Sequence, residues 1–215
     1  LFRSGTNYDR IMPLARMRNH ITDVAMSGAT LAADEWTLLL DSDIYFPEDI
    51  LGRMFDAVSR DPDPASIGMI TPYSQQLFEP DRIAPLGEPV AEMPGYAIAG
   101  HYFDTYAHQD IDHLHHFPFC GFERCRRCAA SRPPGYPQRL IPAGVAIVDV
   151  ASAFGGFALL PTAHLRDPRL RWTTYSMGFD RSEVLVEHVM FCERLRTLFS
   201  KRVVVLQNVD CVYRL

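Results

Sequence analysis

An apolar run that ends abruptly in two aspartates constrains the fold of this chain more than any other feature. The run Trp36-Thr-Leu-Leu-Leu40 is followed at once by Asp41-Ser-Asp43, and Pro47-Glu-Asp then opens an amphipathic segment. Short continuous apolar runs are typical of strands buried on both faces, so the sequence predicts a strand over 35–41 at the centre of a parallel sheet. Pro at a first helical position with acidic residues behind it predicts a helix over 47–59.

The two aspartates are therefore expected at the carboxyl end of a strand, where open α/β sheets bind ligands. Asp41 and Asp43 supply hard oxygen ligands, which suit Mg²⁺ or Mn²⁺ carrying a diphosphate. A surface turn is the alternative, because Asp is common in turns. The position between a buried strand and a helix start favours the interpretation as a metal and diphosphate site.

The rest of the chain alternates predicted helices and strands, which favours an α/β domain with a mainly parallel sheet. We expect a helix over 10–28, a strand over 66–71 closed by Pro72, a strand over 145–150, a helix over 182–199 and a strand over 202–206. Residues 73–142 are expected as a long irregular insertion within a single domain over 1–215. Because the first predicted element is a helix, we expect a fragment that lacks an N-terminal strand.

Composition narrows the possible partners. The 215 residues carry a formal net charge of −5, which argues against a nucleic-acid partner, since such partners favour a basic face. No apolar run approaches the roughly 20 residues that span a bilayer, so membrane attachment is expected only through segments absent from this sequence. Lys201 is the single lysine, and positive charge comes almost wholly from arginine, whose fork suits carboxylates and phosphates.

Three further groups of residues are candidates for binding or chemistry. Arg18 and Asn19, on the first helix, are candidates to hold a nucleotide, unless the Arg18 stem only covers apolar surface. Glu187 is a candidate general base, acceptor-orienting group or charge stabiliser, unless it is a solvated helix residue. The Gly155-Gly156 pair either lets a ligand approach the backbone closely or makes a tight bend beside the sheet.

Five cysteines are present, and three of them cluster. Cys120, Cys125 and Cys128 follow a segment, 101–116, that holds five histidines and three aspartates. These residue types are metal ligands, so a structural Zn²⁺ site is one interpretation. A local disulfide and free thiols are the alternatives, because the count is odd and a second Cys-x-x-Cys is absent.

Taken in order, five blocks of this sequence resemble a fungal family of capsule-associated α-1,3-mannosyltransferases. The blocks lie at 8–19, 38–51, 102–110, 148–156 and 187–193. Asp41-Ser-Asp43 is also similar to the Asp-Ala-Asp motif of the yeast-type Golgi α-1,6-mannosyltransferases, which share the same chemistry. Asp-x-Asp is the arrangement found in nucleotide-sugar-dependent glycosyltransferases.

The resemblance implies a GT-A-like nucleotide-sugar-binding fold and retaining transfer of mannose from GDP-mannose to a glycan or glycolipid acceptor. It also implies a Mn²⁺ or Mg²⁺ ion held by Asp43 with Asp41, and a location in the Golgi lumen if the source is eukaryotic. Glu187 is the implied catalytic residue near the reacting carbon, with Asp110 as a second candidate on a loop over the donor. The implied donor-binding residues are Arg18, Asn19, Asp41, Asp43, Asp104, Gly155 and Gly156.

Two other functions stay open. A domain of the same fold could bind carbohydrate or a protein partner without catalysis. A metal-dependent phosphoesterase or nuclease also uses Asp-x-Asp, and it would need further carboxylates at the strand ends, for which the sequence offers Asp149 and Asp210.

Overall fold

The computed structural model describes residues 4–28, 35–78, 89–93, 96–104, 106–111, 120–125, 141–177 and 183–214. These residues form a mixed α/β domain. In chain order the elements are α1 (Ser4–Gly28), β1 (Trp36–Leu40), β2 (Ile44–Tyr45), α2 (Ile50–Ser59), β3 (Ile67–Phe78), β4 (Pro89–Met93), β5 (Tyr96–Tyr102), β6 (Gln109–Asp110), β7 (Ile147–Ser152), β8 (Phe157–Pro161), α3 (Thr162–Leu165), β9 (Tyr175–Met177), β10 (Glu183–Leu185), α4 (Glu187–Phe199) and β11 (Arg202–Arg214).

One open nine-stranded sheet forms the centre of the domain, with the strand order β1-β8-β3-β11-β7-β6 along its main path. Among the described strand pairs only β3 and β11 run parallel, and the other pairs of this sheet are antiparallel. The prediction of a mainly parallel sheet is therefore wrong. Apolar runs report that a strand is buried, but they carry no information on the direction of its neighbour.

The strand that leads into the two aspartates is not central. β1 pairs antiparallel with β8 and stands at one end of the described strand order. Its side chains alternate, and Leu38 and Leu40 are 36% and 44% exposed. The predicted strand is thus confirmed within one residue at each end, whereas its predicted place at the centre of the sheet is wrong.

The strand predicted to end at Pro72 continues for six residues beyond it, to Phe78. Pro72 lies opposite Leu206, and the register of β11 then jumps, so that Tyr73 pairs with Asp210. Proline cannot donate to the ladder and is tolerated in sheets at such irregularities. The range 73–142 is consequently not wholly irregular, because the second half of β3 and strands β4, β5 and β6 lie within it.

Further helix and strand boundaries also differ from expectation. Helix α1 begins at Ser4, so Pro13 lies inside the helix rather than in its first turn. Helix α4 begins at Glu187 and not near residue 182, because residues 183–185 form β10. Strand β11 extends to Arg214 and pairs with β2, so the C-terminal segment belongs to the sheet.

Helices cover both faces of the sheet. Along β11, Val203 and Val205 belong to one apolar cluster, whereas Val204 and Leu206 belong to the other, as the alternation of side chains in a strand requires. The first cluster includes residues of α1 and α4, such as Ala15, Phe191 and Leu195. The second includes Ile50, Met54 and Val58 of α2. None of the described helices is long and apolar enough to cross a membrane.

Candidate active site

The carboxyl end of β1 meets a tight turn that only glycine can form. The Asp41 N–H donates to the Gly156 carbonyl at 2.8 Å. Gly155 and Gly156 have φ values of +64° and +77°, in the left-handed region. A Cβ atom on Gly156 would lie 2.5 Å from Cδ1 of Ile44, and one on Gly155 would lie 2.6 Å from Cβ of Ser74. The glycine pair, between β7 and β8, is therefore both a tight bend and the neighbour of the acidic motif.

Arg18 joins two carboxylates from distant parts of the chain. Its Nη2 lies 3.2 Å from Oδ1 of Asp41, and its Nε lies 3.4 Å from Oε1 of Glu187. The Glu187 side chain is only 6% exposed, whereas those of Arg18 and Asp41 are 20% and 34% exposed. Glu187 lies in the first turn of α4, where a negative charge is favoured. The structure thus brings together three residues that the sequence singled out separately.

An aromatic layer encloses the Arg18 guanidinium. The Arg18 Cζ lies 5.0 Å from the ring centroid of Phe154. The ring of His188 stacks on Phe154 at 3.8 Å with an interplanar angle of 11°. Burial lowers the pKa of His188 well below its usual value, and the positive charge of Arg18 adds to this effect. The neutral His188 ring packs on Phe154, and its Nε2 lies 3.5 Å from Oε1 of Glu187.

Asp104 lies next to this group and fixes the glycine turn. Its Oδ2 accepts the Gly155 N–H at 3.1 Å, and its Oδ1 accepts the Ala107 N–H at 3.2 Å. Burial, helped by the negative charges of Glu187 and Asp41, raises the pKa of Asp104 to about 6 against these two hydrogen bonds. Asp104 therefore supports the turn through its carboxylate.

Burial and the charge of Arg18 also have opposite effects on the pKa values of Glu187 and Asp41. Burial raises the pKa of Glu187, and the Arg18 charge opposes the shift. Burial likewise raises the pKa of Asp41, against the charge and hydrogen bond of Arg18. Asp43, in the turn between β1 and β2, is exposed. The region thus holds four carboxyl groups, two of which contact the Arg18 guanidinium.

Asn19 has a different environment from its neighbour in the sequence. Its amide donates to the Trp172 carbonyl at 2.8 Å and accepts the Trp172 N–H at 2.9 Å. This pairing anchors α1 to the segment before β9. It gives Asn19 a structural role, whether or not the residue also contacts a donor.

Asp110, the second catalytic candidate, belongs to β6, at the opposite end of the strand order from β1. Its Oδ1 lies 3.6 Å from Nε2 of His108, and its carboxyl group packs on Gly121, where a Cβ atom would lie 2.5 Å from Oδ2. The described contacts do not join Asp110 to the carboxylates around Arg18.

Cys120 and Cys125 are fully buried. Both lie near the hydroxyl of Tyr73, whose pKa burial raises far above its usual value. Cys128 lies outside the described residues, so the zinc and disulfide interpretations stay predictions. Within the described part of the chain, no three or more His, Cys, Asp or Glu side chains are grouped so as to hold a metal ion.

Two carboxylates that a phosphoesterase would need are engaged elsewhere. Asp149 pairs with Arg202 at 2.7 Å, and the same guanidinium also bonds Asp61 at 2.6 Å. Asp210 pairs with Arg124 at 3.1 Å. Neither carboxylate is joined by a described contact to Asp41, so the structure offers no support for this alternative.

The structure adds Ser74 to the site, which the sequence reasoning missed. Its Oγ donates to the Gly155 carbonyl at 2.5 Å. The residue fell in the segment predicted to be irregular, and a single Ser in a strand carries no local signal of such a role. Only the extension of β3 past Pro72 brings it to the glycine turn.

No protein-family model matches this chain, and no curated protein matches it either. The resemblance to the mannosyltransferases therefore stays a prediction.

Proposed function

We propose that this chain is the donor-binding domain of a metal-dependent glycosyltransferase that uses a nucleoside diphosphate sugar, with GDP-mannose as the first candidate. One observation carries the proposal. The acidic pair at the end of β1 is linked through the Asp41 backbone to the Gly155-Gly156 turn and through Arg18 to the buried Glu187. Two carboxylates suited to a metal, a guanidinium suited to a phosphate and a buried carboxylate would thus act in one place.

The residues present suit a Mg²⁺ or Mn²⁺ ion that is shared with the phosphates of a substrate better than a metal ion whose ligands all come from the protein. Asp41 and Asp43 offer only carboxylate oxygens, and Asp43 is exposed. Mg²⁺ is usually bound through one or two carboxylates together with substrate phosphates and waters. When bound, such an ion offsets the charge that develops on a leaving diphosphate.

The chain's own residues would supply the remaining functions. In the proposed reaction the bond from the anomeric carbon to the diphosphate oxygen breaks, and its electron pair leaves with the diphosphate. A bond from the anomeric carbon to the acceptor oxygen forms, and the proton of the acceptor hydroxyl passes to the leaving diphosphate oxygen. Arg18, already desolvated against Phe154, is placed to pair with a phosphate oxygen. Glu187, buried beside it, is placed to stabilise positive charge at the anomeric carbon. Asp104 holds the glycine turn against which the substrate would lie.

Binding of GDP in the presence and absence of Mn²⁺ tests this proposal directly. We expect GDP with Mn²⁺ to raise the melting temperature far more than GDP alone, because the ion would offset the charge of the diphosphate and of the carboxylates. A ligand at a hundred times its Kd stabilises a protein by about 2.7 kcal/mol. Asp43→Asn should abolish the Mn²⁺-dependent part. Asp56→Asn, which changes an exposed carboxylate on α2, is the matched control and should behave like the wild type.

Turnover separates an active enzyme from a binding domain. Release of GDP from GDP-mannose, compared with release from UDP- and dTDP-sugars, should identify the donor and should depend on Glu187. A wild-type chain that gains no stability from GDP with Mn²⁺, or an Asp43→Asn variant that keeps the full effect, contradicts the proposal. Binding of GDP and Mn²⁺ with no release from any donor would support the non-catalytic alternative.

A further inference from the structure

Phe103 and Tyr213 form a stacked pair at the surface of the sheet. Their ring centroids lie 3.8 Å apart with an interplanar angle of 13°, and both side chains are half-buried. The pair differs in exposure from a core stack of similar geometry. Trp172 and Phe191 also stack, at 4.2 Å and 12°, but each is only 1% exposed. Packing of the core therefore accounts for the second pair but leaves part of the first pair accessible.

The backbone ties Phe103 to the glycine turn. The Phe103 N–H donates to the Ser74 carbonyl at 2.8 Å, and the Ser74 hydroxyl donates to the Gly155 carbonyl. The next residue, Asp104, accepts the Gly155 N–H. The Phe103 ring is thus held one residue away from a carboxylate of the candidate site.

Tyr213 reaches the same turn from the other side. It lies opposite Ile44 in the antiparallel pairing of β11 with β2, and directly opposite residues in such a pair share a face of the sheet. The Ile44 side chain in turn packs against Gly156. Asp43 precedes Ile44 and is exposed. An accessible aromatic pair therefore lies beside the acidic motif, separated from it by a single side chain.

The chemistry of this surface fits one class of ligand. An aromatic ring has a negative face and is electrostatically attracted to polarised C–H groups. A hexopyranose presents C–H groups on one face and hydroxyls at its rim, so its C–H face can lie against the outer face of a ring of this stacked pair.

We propose that the Phe103–Tyr213 pair is a binding platform for an uncharged hexopyranose ring, the terminal sugar of the acceptor. The identification of this sugar as the acceptor rests on the proposed function, whereas the binding of a sugar to these rings does not.

Saturation-transfer NMR with methyl α-mannopyranoside tests the platform, with methyl α-glucopyranoside alongside it to read selectivity. We expect Phe103→Leu and Tyr213→Leu to weaken sugar binding by roughly three- to tenfold, the range expected for a lost aromatic contact. Leucine keeps the apolar volume, so the variants are expected to fold. Tyr213→Phe keeps the ring and should bind the sugar as the wild type does. Phe55→Leu, which alters an exposed aromatic residue packed on Trp36, is the matched control.

Binding of GDP with Mn²⁺ is measured on the same variants, so that the two proposals fail separately. Loss of sugar binding in Phe103→Leu with unchanged GDP binding supports the platform. Sugar binding that is absent from the wild type, or equal in Phe103→Leu and Phe55→Leu, overturns the platform and leaves the donor site untouched. Failure of GDP to bind the wild type overturns the proposed function, while ring-dependent sugar binding would still support the platform.

Discussion

Replacement of Arg18 by Met is the sharpest test of how the site is held together. Met keeps much of the apolar stem but removes the guanidinium that lies 3.2 Å from Asp41 and 3.4 Å from Glu187. The variant leaves Glu187, 6% exposed, without its cation. We therefore expect a loss of stability that is largest when both carboxyl groups are ionised.

The size of the expected decrease in the free energy of unfolding follows from the exposure of Arg18 and its partners. Removal of one member of a fully buried ion pair costs about 3–5 kcal/mol. The Arg18 and Asp41 side chains are 20% and 34% exposed, so solvent screens part of this interaction. We expect a decrease of about 1–3 kcal/mol in the free energy of unfolding at neutral pH.

The pH dependence has a definite sign. Burial already raises the pKa of Glu187 in the folded state, and Arg18 opposes this, so its removal raises that pKa further. The folded variant then binds a proton that the unfolded chain does not hold at the same pH. Its stability is consequently lost as the pH rises through the folded-state pKa and regained as the pH falls. The wild type should lose less over the same range.

Urea unfolding at neutral and mildly acidic pH measures these differences. The series consists of the wild type, Arg18→Met, Glu187→Gln and the double variant, with the exposed Arg16→Met as the control. The double variant should recover part of the stability that Arg18→Met loses, because the unpaired charge is gone. Equal stability of Arg18→Met and the wild type at neutral pH, or a double variant no more stable than Arg18→Met, would refute the reasoning.

Three further substitutions give distinct results. In the wild type, protonation of Asp104 stabilises the fold by about 3 kcal/mol in total as the pH falls from about 6 towards 3.8. Asp104→Asn should remove this contribution, and urea unfolding at a series of pH values would detect the difference. Gly156→Ala should cost about 1–3 kcal/mol of stability, because φ is +77° and the added Cβ meets Ile44; an unchanged melting temperature would contradict this. Asn19→Ala should lose two hydrogen bonds to Trp172 and about 1–3 kcal/mol; GDP affinity unchanged per folded molecule would show that Asn19 is structural only.

Local signals in the sequence predicted local structure well. The apolar run and the acidic residues after Pro47 predicted a strand and a helix, and the structure has β1 and α2 in that order. The predicted helix start at 47 is three residues early, since α2 begins at Ile50. A hydrogen bond from the Ile50 N–H to the Pro47 carbonyl forms a turn just before the helix. Such features depend on neighbours within one or two turns, which a single sequence displays.

The pairing of distant segments could not be predicted in the same way. Arg18 meets Glu187 only because α1 and α4 lie on the same face of the sheet, and no spacing within either helix encodes that contact. The same holds for Asp110, which shares a loop with Asp104 in the sequence but enters β6 instead of the site. Strand direction and strand order are properties of the whole sheet, and they decide which candidate residues meet.

The charge balance of the site links the two halves of the proposed mechanism. Asp41 and Glu187 contact a single guanidinium, and Asp43 and Asp104 add their negative charges to that of Asp41. The raised pKa of Asp104, about 6, still leaves it mostly ionised at neutral pH. A diphosphate entering this region alone would meet a net negative charge and would have to displace Arg18 from its carboxylates. A divalent cation on Asp41 and Asp43 would remove both obstacles, because it would offset the carboxylate charge and release Arg18 to pair with a phosphate. If the proposed function is right, the affinity for GDP should therefore rise with Mn²⁺ concentration, and Arg18→Met should reduce that affinity even when Mn²⁺ is saturating.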